Sequence, residues 1–133
     1  MKKGVYQLLI RLDSDTTIPV GKLGVFDFSR GYYVYTGSAM GGLEARIARH
    51  LSAEKRCHWH IDYLLEQSAI IRYAIMECPT GELCTECAVN AATLDMDGAV
   101  EPVKGFGSSD CKCRTHLVYF ASEPALALDG IPP

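Results

Sequence analysis

The stretch YYVYTGSAMGGLEARIARH, residues 32–50, decides how this chain is read. It passes from an aromatic, β-branched segment through a glycine-bearing loop into helical spacing, which predicts a strand, a tight junction and a helix. Tyr35 and Gly37 end the expected strand, residues 38–42 form the junction, and Arg46, Arg49 and His50 ride on the helix. Glycines at such a junction let a ligand approach the backbone, and the N–H groups that open a helix favour an anion such as phosphate. Leu43, Ile47 and Leu51 form the expected apolar stripe, and Arg46 and His50, four apart, share the face beside it. A cationic, hydrogen-bonding face beside a glycine turn suits a phosphodiester.

Upstream, residues 4–12 alternate as a strand with Tyr6, Leu8, Ile10 and Leu12 on one face and Val5, Gln7, Leu9 and Arg11 on the other. Taken alone, Tyr6 reads first as a core tyrosine with a bonded hydroxyl. Residues 18–28 predict a strand or strand pair bent at Gly21 and Gly24, and Ser29-Arg30-Gly31 turns the chain into residues 32–35, completing an antiparallel meander. Downstream, Lys55, Arg56, His58 and His60 extend the positive side. A short helix is expected over 60–67 with Ile61, Leu64 and Leu65 inward, and Trp59 reads as core or as a packing lid. His58 and His60 could chelate a metal, but one H-x-H is a weak signal, and a structural or nucleic-acid-contacting role is preferred. A strand over 69–77 precedes a helix over 82–94, whose expected stripe is Leu83, Cys87, Ala91 and Leu94, with Glu86 and Asn90 together on a neighbouring face. Residues 95–113 read as a long loop, 115–121 as a last strand and 123–133 as a frayed end. The expected fold is one α/β (α+β) domain over 1–121, a small, mainly antiparallel sheet flanked by helices, with a C-terminal tail over 122–133.

Composition bounds the function. With 133 residues, 48% hydrophobic and 22% charged, the chain can bury an ordinary core. No apolar run approaches the roughly 20 residues of a membrane helix, and in MKKGVYQLLIRLDSD the apolar segment is cut short by Arg11 and Asp13, so a cytoplasmic location without membrane contact is expected. A net charge of −3 argues against coating nucleic acid non-specifically. The charge is uneven, however. Residues 1–72 hold ten Lys/Arg against seven Asp/Glu, and residues 73–133 hold three against nine, which predicts a basic face built by the first half. The six cysteines, at 57, 78, 84, 87, 111 and 113, read as reduced thiols or metal ligands.

Gly4-Val5-Tyr6 and Tyr35-Thr36-Gly37, followed by Arg46-x-x-x-His50, resemble the GIY-YIG nuclease superfamily over residues 4–94. VGKLG, YVYTGSA, RIARH, HWHIDYLL, Glu86-Cys87 and GFGSSDCKCRTHL extend the likeness over almost the whole chain. They are similar to a small prokaryotic branch whose members occur alone or fused to endonuclease III-type repair enzymes. Val5 and Thr36 replace isoleucines, keeping β-branched strand formers. The 28 residues between the tripeptides exceed the usual spacing, so an extra hairpin around residues 20–28 must fit without separating Tyr6 from Tyr35.

The resemblance implies metal-dependent cleavage of DNA, in repair or processing, with Tyr6, Tyr35, Arg46, His50 and Glu86 as catalytic residues. Glu86 would hold one Mg²⁺ or Mn²⁺, for which a single carboxylate suffices because magnesium keeps several waters. Arg46 would grip the phosphate bidentately. Tyr6, a phenol with an ordinary pKa of about 10, would act as base with help from the metal or Arg46, or through a water. Tyr35 and His50 would orient water and phosphate, and Gly37 would leave room for the substrate. Ser38, Arg49, Lys55, Arg56, His58, His60 and Asn90 complete the expected substrate-binding set, and a repair protein is a possible partner. Two other readings stay open: a binding module without turnover, and a structural Zn²⁺ held by Cys84, Cys87, Cys111 and Cys113, whose C-x-x-C and C-x-C pairs supply four ligands.

Overall fold

The structure, a computed structural model, describes residues 4–39, 42–52, 59–77, 86–106 and 115–130. Its strands are β1 (Gly4–Leu12), β2 (Thr16–Val20), β3 (Gly24–Phe28), β4 (Gly31–Ala39), β5 (Ala69–Glu77) and β6 (Leu117–Phe120). Three helices, α1 (Leu43–Leu51), α2 (His60–Leu65) and α3 (Glu86–Leu94), join one-turn 3-10 helices at Gly21–Leu23 and Ala127–Gly130. Four strands form an antiparallel sheet in the order β5-β1-β4-β6, and β2 and β3 make a separate ribbon, so the fold is mixed α+β as expected.

β1 is central and covered on both faces, with Arg11 alone of its residues exposed. On one face, Tyr6, Leu8, Ile10 and Leu12 join Tyr33 and Tyr35 of β4, Leu43 and Ile47 of α1, and Ile61 and Leu64 of α2. On the other, Leu9 packs with Val34, Val118, Phe120 and Leu126. The ribbon contributes Ile18, Val20 and Phe28 to the first core, with α2 packed on β2. The extra hairpin therefore lies over the sheet, and the β1–β4 ladder runs unbroken with Tyr6 opposite Gly37 and Leu8 opposite Tyr35.

Three expectations are corrected. On α3, Asn90 and Thr93 are buried and Ala91 is exposed, because the amide of Gln7 waits for the Thr93 hydroxyl and the Thr115 carbonyl accepts from Asn90 Nδ2. Burying polar groups is tolerated where partners wait for them. The C-terminal segment is docked, not frayed: Leu126 and Leu128 are buried, and the Leu128 N–H donates to Gln7 Oε1 at 3.1 Å. Within the expected long loop, Val100 bridges to Tyr119, and Phe106 is buried against Phe28 and Tyr35. Among the described residues, no helix is long and apolar enough to cross a membrane.

Candidate functional site

The site grows from the β1–β4 ladder. Tyr6 and Tyr35 point to the same face, with ring centroids 6.4 Å apart, and α1 crosses above them. The helix turns His50 inward with Leu43 and Ile47 and leaves Leu51 half exposed, which corrects the expected stripe. Positions 43, 47 and 50 follow the i, i+4, i+7 rhythm, so His50 competes with Leu51 for the core-facing place, and a waiting phenol decides for the imidazole. The Tyr6 hydroxyl and His50 Nε2 share a 2.7 Å hydrogen bond whose direction follows the imidazole tautomer. Both residues are buried, at 1% and 2% exposure. Their close packing depends on Gly37: a Cβ there would stand 2.5 Å from the Tyr6 ring and hydroxyl. The glycine thus makes room for Tyr6, where the sequence suggested room for substrate.

Two cations border this pair. Arg46 Nη1 donates to the Ser38 carbonyl at 3.0 Å, and its guanidinium lies 4.5 Å from the centre of the Trp59 ring. The Arg49 guanidinium lies 4.1 Å from the same ring and pairs with Asp62 through two bonds of 2.9 and 3.0 Å. Cations over an indole face are attracted by its quadrupole. Asp62, fully buried in the first turn of α2, also accepts the Trp59 N–H at 2.8 Å. Its charge therefore has a guanidinium, a backbone donor and a helix N-terminus to stabilise it. Trp59 in turn packs 5.8 Å from His50, centroid to centroid. His60 lies against Phe106, 5.6 Å between ring centres, and burial lowers its pKa from the usual histidine value. A cleft of about 550 Å³, lined by His50, Leu51, Ser52, Leu65, Glu66 and Ile70 among others, opens beside the buried couple.

The structure thus brings Tyr6, Tyr35, Gly37, Arg46 and His50 together, with Ser38, Arg49 and His60 at the margin. Asn90 lies elsewhere: it is buried on the opposite sheet face, where its Nδ2 donates to the Thr115 carbonyl. Glu86 opens α3 one turn earlier, and its side chain is outside the described residues, as are Lys55, Arg56, His58, Cys84, Cys111, Cys113 and the Cys87 side chain. Among the described residues no cluster of three or more His, Cys, Asp or Glu could hold a metal. Sequence reasoning missed Asp62 and underread Trp59. The signal was present: an acid three residues after the cap position is the pattern of a helix start, and it ties Asp62 back to Trp59.

In chemical terms the couple can pass a proton between phenol and imidazole, and Arg46 can hold an anion at its edge. A family model described as "Domain of unknown function DUF123" matches residues 5–129. No curated protein and no solved structure matches the chain.

Proposed function

We propose that this chain, which belongs to the DUF123 family, binds DNA phosphates and hydrolyses a phosphodiester as a GIY-YIG-type, divalent-metal-dependent endonuclease. The observation that carries the reading is the 2.7 Å bond between Tyr6 and His50, set beside Tyr35 with the Arg46 guanidinium close by. A tyrosine, a proton acceptor and an anion-gripping cation are what attack by an activated water needs at one phosphate.

In this proposal Arg46 offers two N–H groups to the phosphate and stabilises charge as it gathers on the oxygens. His50, with Nε2 unprotonated, takes the Tyr6 proton, so the phenol oxygen accepts one from water in turn. Tyr35 packs against both rings and keeps the couple aligned. Mg²⁺ or Mn²⁺ on Glu86 would supply Lewis-acid polarisation of a phosphate oxygen and help the leaving group. That assignment rests on the resemblance of Glu86-Cys87 to the superfamily's helix. A role in repair, and a repair protein as partner, are proposed on the same likeness.

A second reading, a nucleic-acid-binding module without turnover, draws on two observations. The Tyr6–His50 couple is almost fully buried, and the described inward residues of α3 face the opposite side of the sheet. The test is cleavage of labelled branched, nicked and single-stranded DNA in Mg²⁺, Mn²⁺ or EDTA. Expected is metal-dependent cleavage that falls at least 100-fold in Tyr6→Phe and Glu86→Ala with binding retained, about 2.7 kcal/mol of transition-state stabilisation. Binding that ignores EDTA, with no cleavage of any substrate, would replace the nuclease by the binding module.

A further inference from the structure

We infer that Trp59 and Asp62 are positioning residues that present Arg46 to a phosphate, with Arg49 serving as internal counter-ion rather than as ligand. The inference rests on the phosphate-binding reading above and deepens it. Arg46 and Arg49 stand three apart on α1, and both guanidiniums lie over one indole, so their charges oppose each other at close range. Asp62 removes that conflict from one side only. Its two oxygens take both terminal nitrogens of Arg49, and the same carboxylate fixes the Trp59 backbone. Arg46 is held differently: its Nη1 is anchored to a neutral carbonyl, and among the described residues no carboxylate pairs with it. One guanidinium is thus neutralised inside the protein. The other keeps its charge and is steadied by a ring face beside the Tyr6–His50 couple.

Trp59 is the only tryptophan in the chain, so its emission reports on this cluster alone. The experiment uses the full chain and a short fluorophore-labelled DNA duplex. It measures affinity against salt concentration, Trp59 emission and melting temperature in parallel. Neutralising a phosphate ligand lowers the slope of log affinity against log salt by about one, whereas a ligand that keeps its charge but is less well aimed at its phosphate lowers it by less. Expected is a slope reduced by about one in Arg46→Gln. In Trp59→Leu and Asp62→Asn, affinity should fall by about threefold or more with the slope lowered by less than in Arg46→Gln, and Trp59→Phe should restore most of the affinity. Asp62→Asn should also shift Trp59 emission. Because Asp62 is fully buried, the Trp59→Leu and Trp59→Phe pair keeps the test decisive should Asp62→Asn melt. An Arg49→Gln slope reduced like that of Arg46→Gln would overturn the division of roles, as would wild-type affinity in Trp59→Leu. Absence of salt-sensitive binding by the wild-type chain would overturn the phosphate reading itself, and this inference with it.

Discussion

The two faces of the sheet use the same strands for opposite ends. Tyr6 and Gln7 are neighbours on β1, and Tyr35 and Thr36 are neighbours on β4, yet strand alternation sends one of each pair to either side. On the Tyr6 side the buried polar groups are titratable: a phenol, an imidazole and an aspartate with its arginine. On the Gln7 side the hydrogen-bonded network around Gln7 is neutral. Gln7 Nε2 donates to the hydroxyls of Thr36 and Thr93 at 3.0 and 2.9 Å, and its Oε1 accepts from Leu128. A neutral network satisfied within the protein fixes the packing of α3 and the C-terminal segment, and it has little to offer a reaction. The titratable face holds groups whose protons and charges can respond to a ligand. The comparison teaches where to look for chemistry in this fold and where to look for rigidity.

Breaking the frame the two faces share should have the largest effect. Gly37→Ala drives a methyl group into the Tyr6 ring, so Tyr6 or β4 must move. Destabilisation of about 2–3 kcal/mol is expected by denaturant melts, together with loss of any activity that depends on the Tyr6–His50 bond. Gln7→Leu tests the neutral face alone. It strands the Leu128 N–H and takes a donor from the Thr36 and Thr93 hydroxyls, of which Thr93 keeps its bond to the Val89 carbonyl; the expected cost is about 1–3 kcal/mol, while the proposed DNA affinity below the melting temperature stays at the wild-type value. Equal losses of affinity in both variants would abolish the distinction between the faces.

A smaller effect sharpens the comparison through pH. Burial lowers the pKa of both His60 and His116. In the unfolded chain these groups take protons near pH 6.5, before the folded protein does. Their neutral burial therefore costs nothing above about 6.5, and stability drops as pH falls from there toward the lower folded values. Melting curves should show this decline, and His116→Gln should flatten it. A stability profile level from pH 7 to 5.5 would contradict the buried neutral state.

Much of the Tyr6 face was legible because it follows simple rules. Alternation put Tyr6 with the apolar residues of β1, the tripeptide resemblance set it beside Tyr35, and the spacing of Arg46 and His50 placed them on one helix. What escaped was set by tertiary partners. Whether His50 or Leu51 faces inward depends on the phenol beneath, and no helical pattern contains that. On α3 the apolar rule chose Ala91 over Asn90 and Thr93, since hydropathy does not register a glutamine waiting for Thr93 or a backbone carbonyl waiting for Asn90. Leu126 and Leu128 alternate with alanines in a short, proline-bounded segment that carries too little periodicity to signal docking. Asp62 was overlooked for a different reason: its pattern marks a helix start everywhere in proteins, and its second use, anchoring Arg49, is visible only in three dimensions.

The bond between Leu128 and Gln7 joins positions 121 residues apart. During synthesis the amide of Gln7 must wait for 121 further residues before this partner arrives. β1 likewise waits for β4 and then β5 on its two sides. Such late closure raises contact order and slows folding, and it leaves the central strand without its second strand neighbour until β5 has been made. The nascent chain is therefore expected to gain protease resistance abruptly, once residue 128 has emerged and can dock, rather than in stages.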